Sequence, residues 1–199
     1  LAGTAKYKVV NAKVISLGST SSFTQTITID AGTNDGVRQN MTVITGLGLV
    51  GVVKISYPNS SLVQLSTDPA FKVGARVAGS QQIGILSGQG TSKAVLQLLD
   101  NQTTLKVGDV ILARGSVSNR PFVPGVPIGQ VTAVDNAAGA VTQTADVKLF
   151  VDFSSLSTVA VVVSAPKDDP RDALVPKAPV PTPVPTVTIY AQPTESPAP

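Results

Sequence analysis

Histidine, cysteine and tryptophan are all absent from the 199 residues. Without His or Cys the chain can build no Ser-His-Asp or Cys-His nucleophile system, no imidazole or thiolate metal site and no disulfide. The lack of cysteine is compatible with either side of a bacterial membrane. Glu195, close to the C-terminus, is the only glutamate, so any carboxylate pair for acid/base work would have to be made of aspartates. Aromatic residues make up 4% of the chain, which leaves few flat apolar faces for stacking sugars or bases. Charged residues reach only 14%, and the basic ones are scattered singly, an argument against a nucleic-acid surface. The densest apolar run, "TVAVVV" at 158–163, is far shorter than the ~20 residues of a membrane-spanning helix. The chain opens at Leu1 with no basic leader or cleavage motif, so the expectation is a fragment or processed product whose targeting segment lies upstream.

What is present is the composition of a β protein. Apolar residues make up 42%, and Val, Ile and Thr recur in short alternating runs. Alternation and turn residues predict strands at 8–17, 24–30, 41–46, 49–56, 61–68 and 72–78. A second series follows at 83–87, 94–100, 109–115, 127–134, 144–152 and 157–163. The two series repeat each other. "ITID" parallels "QLLD", matching Asp30 to Asp100, and "VRQNMTVI" parallels "LKVGDVIL", matching Asn40 to Gly108 and Val43 to Ile111. "LVGVV" parallels "PIGQV", matching Gly51 to Gly129, and "VQLSTD" parallels "VKLFVD", matching Val63 to Val147 and Asp68 to Asp152.

Small antiparallel units of about six strands remove their exposed edges by closing. The expected fold is therefore all-β: two small related six-stranded antiparallel barrels in tandem. Residues 1–6 would end a linker from the missing N-terminal region, 7–79 form the first barrel, 80–165 the second, and 166–199 a disordered Pro/Thr-rich tail. The second unit carries an extra loop, "SVSNRPFVPG", in which Phe122 is flanked by prolines. Phe122 is either an exposed anchor for a partner or a plug for the barrel mouth.

Three motifs carry tempting chemistry. "GLGLVG" at 46–51 matches the dinucleotide fingerprint, with Asp68 about twenty residues on, but the residues that follow read as strand, turn, strand where a helix is required. "DAGTNDG" at 30–36 has a faint calcium-loop look, yet its register is broken and strands flank it. Ser92 beside Lys93 reads as a solvated turn rather than a catalytic dyad. No catalytic residue, cofactor or metal is expected.

The strings "SSFTQTITIDAGTNDGV", "GLGLVGVV", "SSLVQLSTDP", "GILSGQG", "VGDVI" and "PFVPGVPIGQV" occur in the order that resembles the MreC family of rod shape-determining proteins. The resemblance runs from about Tyr7 to Val163, with Gly36, Gly48, Gly51, Asp68, Gly108, Asp109, Gly129 and Asp152 as its structural motif positions. Asn40 departs from it, standing where Gly is usual, and "LARG" brings Ala113 and Arg114 into a loop beside Phe122. The resemblance implies an extracytoplasmic, non-enzymatic scaffold of the cell-elongation machinery, held to the membrane only through an N-terminal helix absent here. Its implied partners are a class B penicillin-binding protein, MreD, MreB and further copies of itself as dimer or filament, with no nucleic acid. Arg114, Phe122 and Val123 are the expected partner-binding residues. The alternative is a module that binds cell-wall glycan.

Overall fold

The computed structural model describes residues 1–18, 24–80, 82–99, 105–135, 142–166 and 169–176. Each expected strand forms: β1 (Lys8–Leu17), β2 (Thr26–Ile29), β3 (Thr42–Ile44), β4 (Leu49–Ser56), β5 (Ser61–Leu65), β6 (Lys72–Val77), β7 (Ile83–Gly88), β8 (Lys93–Leu98), β9 (Val110–Ala113), β10 (Pro127–Asp135), β11 (Thr144–Leu149) and β12 (Thr158–Ser164). Val, Ile and Leu alternate with outward residues along them, as in the buried-exposed alternation of Lys72 to Ala75 on β6.

The strands close into two six-stranded barrels, and here the division at 79/80 is corrected. One barrel runs β1-β12-β3-β4-β5-β2 and the other β10-β11-β8-β7-β6-β9. The last strand of each sequence repeat has thus crossed into the other barrel. β6 pairs with β7 and β9, while β12 pairs with β1 and β3. The alternation of β6 and β12 is satisfied by either barrel interior, so the pattern could place them on a face but not in a barrel.

Within the barrels the repeat holds in register. Gly51 lies opposite Val43 and Leu65, and Gly129 opposite Ile111 and Leu149. Neither glycine has room for a side chain: a Cβ would stand 1.9 Å from the Gln64 carbonyl oxygen at Gly51 and 2.3 Å from that of Lys148 at Gly129. Asn40 (φ 61°) and Gly108 (φ 99°) share the left-handed backbone, and their N–H groups donate to the carbonyls of Val53 and Val131, each at 2.9 Å. One match fails. Thr26 pairs with Gln64 as Lys93 pairs with Lys148, so Asp30 answers to Gln97 rather than to Asp100, which lies outside the described residues. The four-residue likeness of "ITID" to "QLLD" was too short to fix the offset.

The first barrel is filled by Ile27, Ile29, Val43, Val50, Val53, Val63 and Val161. Ile44, Leu49, Val52 and Val162 point the other way and join the core of the second barrel. β3, β4 and β12 are therefore covered on both faces, which is why five consecutive residues, Leu49 to Val53, are buried. Burying side chains such as Ile44 and Leu49 between the barrels contributes about 1.5–3 kcal/mol each.

The tail is also corrected in part. Residues 169–176 are ordered, forming a 3-10 turn at Arg171–Leu174 whose Leu174 is 5% exposed. Composition hid this turn because one buried Leu and one paired Asp suffice to dock it. Residues 177–199 lie outside the described part.

Candidate functional site

The two passages between barrels, 66–71 and 150–157, are organised by the paired aspartates. Asp68 is fully buried and accepts three bonds: from the Gln25 N–H at 2.5 Å, the Gln64 amide at 2.9 Å and the Ala70 N–H at 2.7 Å. These donors tie β2, β5 and the crossing chain together, which satisfies a carboxylate that burial would otherwise penalise heavily. Asp152, on the surface, braces only its own turn. Its carboxylate accepts from the Ser154 hydroxyl at 2.6 Å, the Ser154 N–H at 2.9 Å and the Ser155 hydroxyl at 3.0 Å. The Ser154 hydroxyl foremost, then its N–H and Ser155, hold the Asp152 carboxyl below its usual range.

Between the passages lies a cleft of about 610 Å³, lined by Gln25, Thr67, Ser92, Asp152 and Phe153 among others. Its polar groups largely bond to one another: Gln25 donates to the Gly90 carbonyl at 2.8 Å and accepts from the Thr67 hydroxyl. Ser92 lines this cleft, whereas Lys93 opens β8 as an exposed residue opposite Lys148.

"GLGLVG" is the β3–β4 connection and the start of β4, with no helix after it. Gly48 brings the first barrel against the second: a Cβ there would stand 2.5 Å from the Pro127 carbonyl oxygen. In "DAGTNDG" the carboxylates hold backbone, Asp30 accepting from the Lys13 N–H at 2.6 Å and Asp35 from the Gly32 N–H at 2.9 Å. Gly36, at φ 87°, ends the 3-10 turn Thr33–Asp35. Asp109 accepts from the Lys106 N–H at 2.8 Å; at the matching place the sulfur of Met41 accepts from Arg38 at 3.2 Å. Among the described residues no three His, Cys, Asp or Glu side chains gather as a metal site.

In the inserted loop Phe122 takes the second of its two readings, the plug, and Val123, expected as a partner-binding residue, is buried beside it. Phe122 is 6% and Val123 2% exposed, so neither is a surface anchor. Phe122 meets Phe71 edge to face, with centroids 5.4 Å apart, inside the second barrel's core. Thr42 of β3 locks the loop down, its hydroxyl donating to the Pro121 carbonyl at 2.8 Å and accepting from the Val123 N–H at 3.0 Å. The Tyr7 hydroxyl donates to the Pro124 carbonyl, and burial, reinforced by the charge of Asp169, pushes the phenol pKa up. The loop is thus a clamp between barrels. What it offers outward is Arg114, Arg120 and Val117, the last 91% exposed. Val117 was legible only as an apolar residue stranded in the polar run "SVSNR"; Thr42 and Tyr7 carried no sequence signal as clamp residues.

Two closed six-stranded barrels interlocked by exchanged strands, with Asp68 bracing one crossing and Thr42 and Tyr7 the clamp, define a double-barrel β protein. The chain belongs to the MreC family: the family model described as "Rod shape-determining protein MreC, barrel core" matches residues 14–163. It is 32% identical over 161 residues to the cell shape-determining protein MreC of Listeria monocytogenes, covering 78% of this chain and 54% of that protein. The chain therefore spans about half the length of that relative. Among solved structures it is similar to the major periplasmic domain from the cell shape-determining filament MreC, with TM-score 0.65, 28% identity, and 77% of this chain and 94% of that one covered. It also shares its fold with a chain from a complex between penicillin-binding protein PBP2 and MreC of Helicobacter pylori, with TM-score 0.58, 13% identity, and 78% and 99% covered.

Proposed function

We propose that this chain is the extracytoplasmic part of a non-enzymatic scaffold of the bacterial cell-elongation machinery, which maintains rod shape by self-associating and by binding a class B penicillin-binding protein. The observation that carries this reading is the family match running through both barrels and the exchanged strands between them. The Helicobacter pylori complex supports a transpeptidase as partner, and the relative described as a filament supports self-association. MreD, MreB and an N-terminal membrane helix belong to the same proposal. The mechanism is differential affinity: a scaffold shifts a partner with two conformations only by binding one of them more tightly. With Phe122 and Val123 inside, the outward candidates are Arg114 and Val117.

The test is binding of this chain to the ectodomain of its host's elongation-specific class B penicillin-binding protein at physiological salt, with sedimentation to follow self-association. Saturable binding is expected, and the pair Arg114→Glu and Val117→Ser should weaken it roughly tenfold. Unchanged affinity in a folded variant removes that surface from the proposal. No binding by the folded chain overturns the partner assignment for these residues.

A further inference from the structure

The ordered segment 169–176 lies beyond the family match, yet it touches three separate parts of the molecule. On β6, Arg76 donates through Nη1 to Asp172 Oδ1 at 2.7 Å, and just past β6 the Gly79 N–H donates to Asp172 Oδ2 at 2.9 Å. At the clamp loop Gly125 lets the segment come close: a Cβ there would stand 2.6 Å from Pro170 Cγ. Leu174 sinks into the core against which Leu1 and Ala2 also pack. The segment thus fastens the exchanged strand to the clamp loop, and its Ala173 to Pro176 border the same recess as Leu1 and Thr4.

Two features mark it as a bound ligand rather than a piece of barrel. Apart from its own turn it is held by side chains and by the single Gly79 N–H, with no ladder to a neighbouring strand. Its fit to Arg76 is also incomplete. Nε and Nη2 of Arg76 are buried without partners, while the side chain is only 12% exposed. A guanidinium is best satisfied by a carboxylate that takes two of its N–H groups at once. Asp172 gives it one oxygen and turns the other to Gly79, leaving buried donors whose desolvation is not repaid.

We propose that the groove between β6, the clamp loop and the N-terminal segment is a peptide-binding site, taking an aspartate followed two residues on by a leucine, and that residues 169–176 are its resident, releasable ligand. The segment is a latch: seated, it fixes residues 1–7 against the second barrel; released, it frees that entry segment and opens the Arg76 groove to an acidic-apolar peptide. This inference rests on a segment outside the matched residues 14–163, seated on Arg76, Gly79 and Gly125 inside them, and does not depend on the partner assigned above.

The experiment is hydrogen exchange on the full chain carrying Asp172→Ala and Leu174→Ser. Amides of residues 1–7, of Gly79 and of the clamp loop should exchange at least roughly tenfold faster, about the factor one charged hydrogen bond carries, with β4 and β5 unchanged. A synthetic peptide of sequence DPRDALVP, added in trans, should restore protection, and the peptide with both substitutions should not. Unchanged exchange in the variant overturns the latch. Loss that saturating peptide fails to restore overturns the peptide site. Opening of β4 and β5 in the variant also overturns it, since the segment would then be core, and the milder Asp172→Asn should in that case leave the N-terminal segment protected.

Discussion

Asp68 and Asp152 occupy matching places in the repeat, but burial separates what they are worth. Removing the Asp68 carboxylate strands three donors, Gln25 N–H, the Gln64 amide and Ala70 N–H. Asp68→Ala should therefore cost about 3 kcal/mol or more in urea unfolding. Asp152→Ala, on the surface, should change the midpoint little. The acid limb of stability reports on a third carboxylate, that of Asp172. Arg76 foremost holds the Asp172 carboxyl below its usual range, with the Gly79 N–H adding to it. A depressed carboxylate contributes stability above its unfolded value, about 3.9, and loses it as pH falls through the folded value below that. The Gly79 amide resonance should accordingly shift with a midpoint in the range below that unfolded value. A shift centred above that range would mean that the carboxylate is not paired with Arg76. Asp68 and the repeat could be read from the chain; that Asp68 is buried and Asp152 is not depends on which passage is packed over.

At the scale of elements, β4 and β10 show why local chemistry was readable. Gly51 and Gly129 sit where a neighbouring carbonyl leaves no space for a Cβ, and the two positions were matched from sequence alone. Gly51→Val should cost roughly 3 kcal/mol or more, since the obstacle is backbone that cannot give way. Asn40→Val should cost about 1–2 kcal/mol because a β-branched residue resists the left-handed backbone, whereas Asn40→Gly should be close to neutral. The sequence left Phe122 open between anchor and plug because proline-braced aromatics look alike whether they face in or out. Phe122→Ala should lower stability by about 3–5 kcal/mol, the range for a large side chain lost from a core, as measured by thermal or urea unfolding. A loss under ~1 kcal/mol would restore Phe122 as a surface residue.

The whole molecule is governed by the exchange of β6 and β12. Neither barrel can close from one contiguous half of the chain, so unfolding should be a single cooperative transition. Fragments cut between residues 79 and 80 should each be unfolded alone and recover β structure when mixed, seen by circular dichroism. Either fragment folding by itself would mean that a barrel can close without its exchanged strand. All twelve strands, the repeat and the strand-turn-strand character of "GLGLVG" were fixed by residues close together in the chain. Alternation and turn chemistry act over a few residues, and there the chain itself determines the outcome. The barrel to which β6 and β12 belong, the inward turn of Phe122 and Val123 and the docking of 169–176 were decided only in three dimensions. In each case the same local pattern fits two environments, and the choice depends on contacts between residues far apart in sequence.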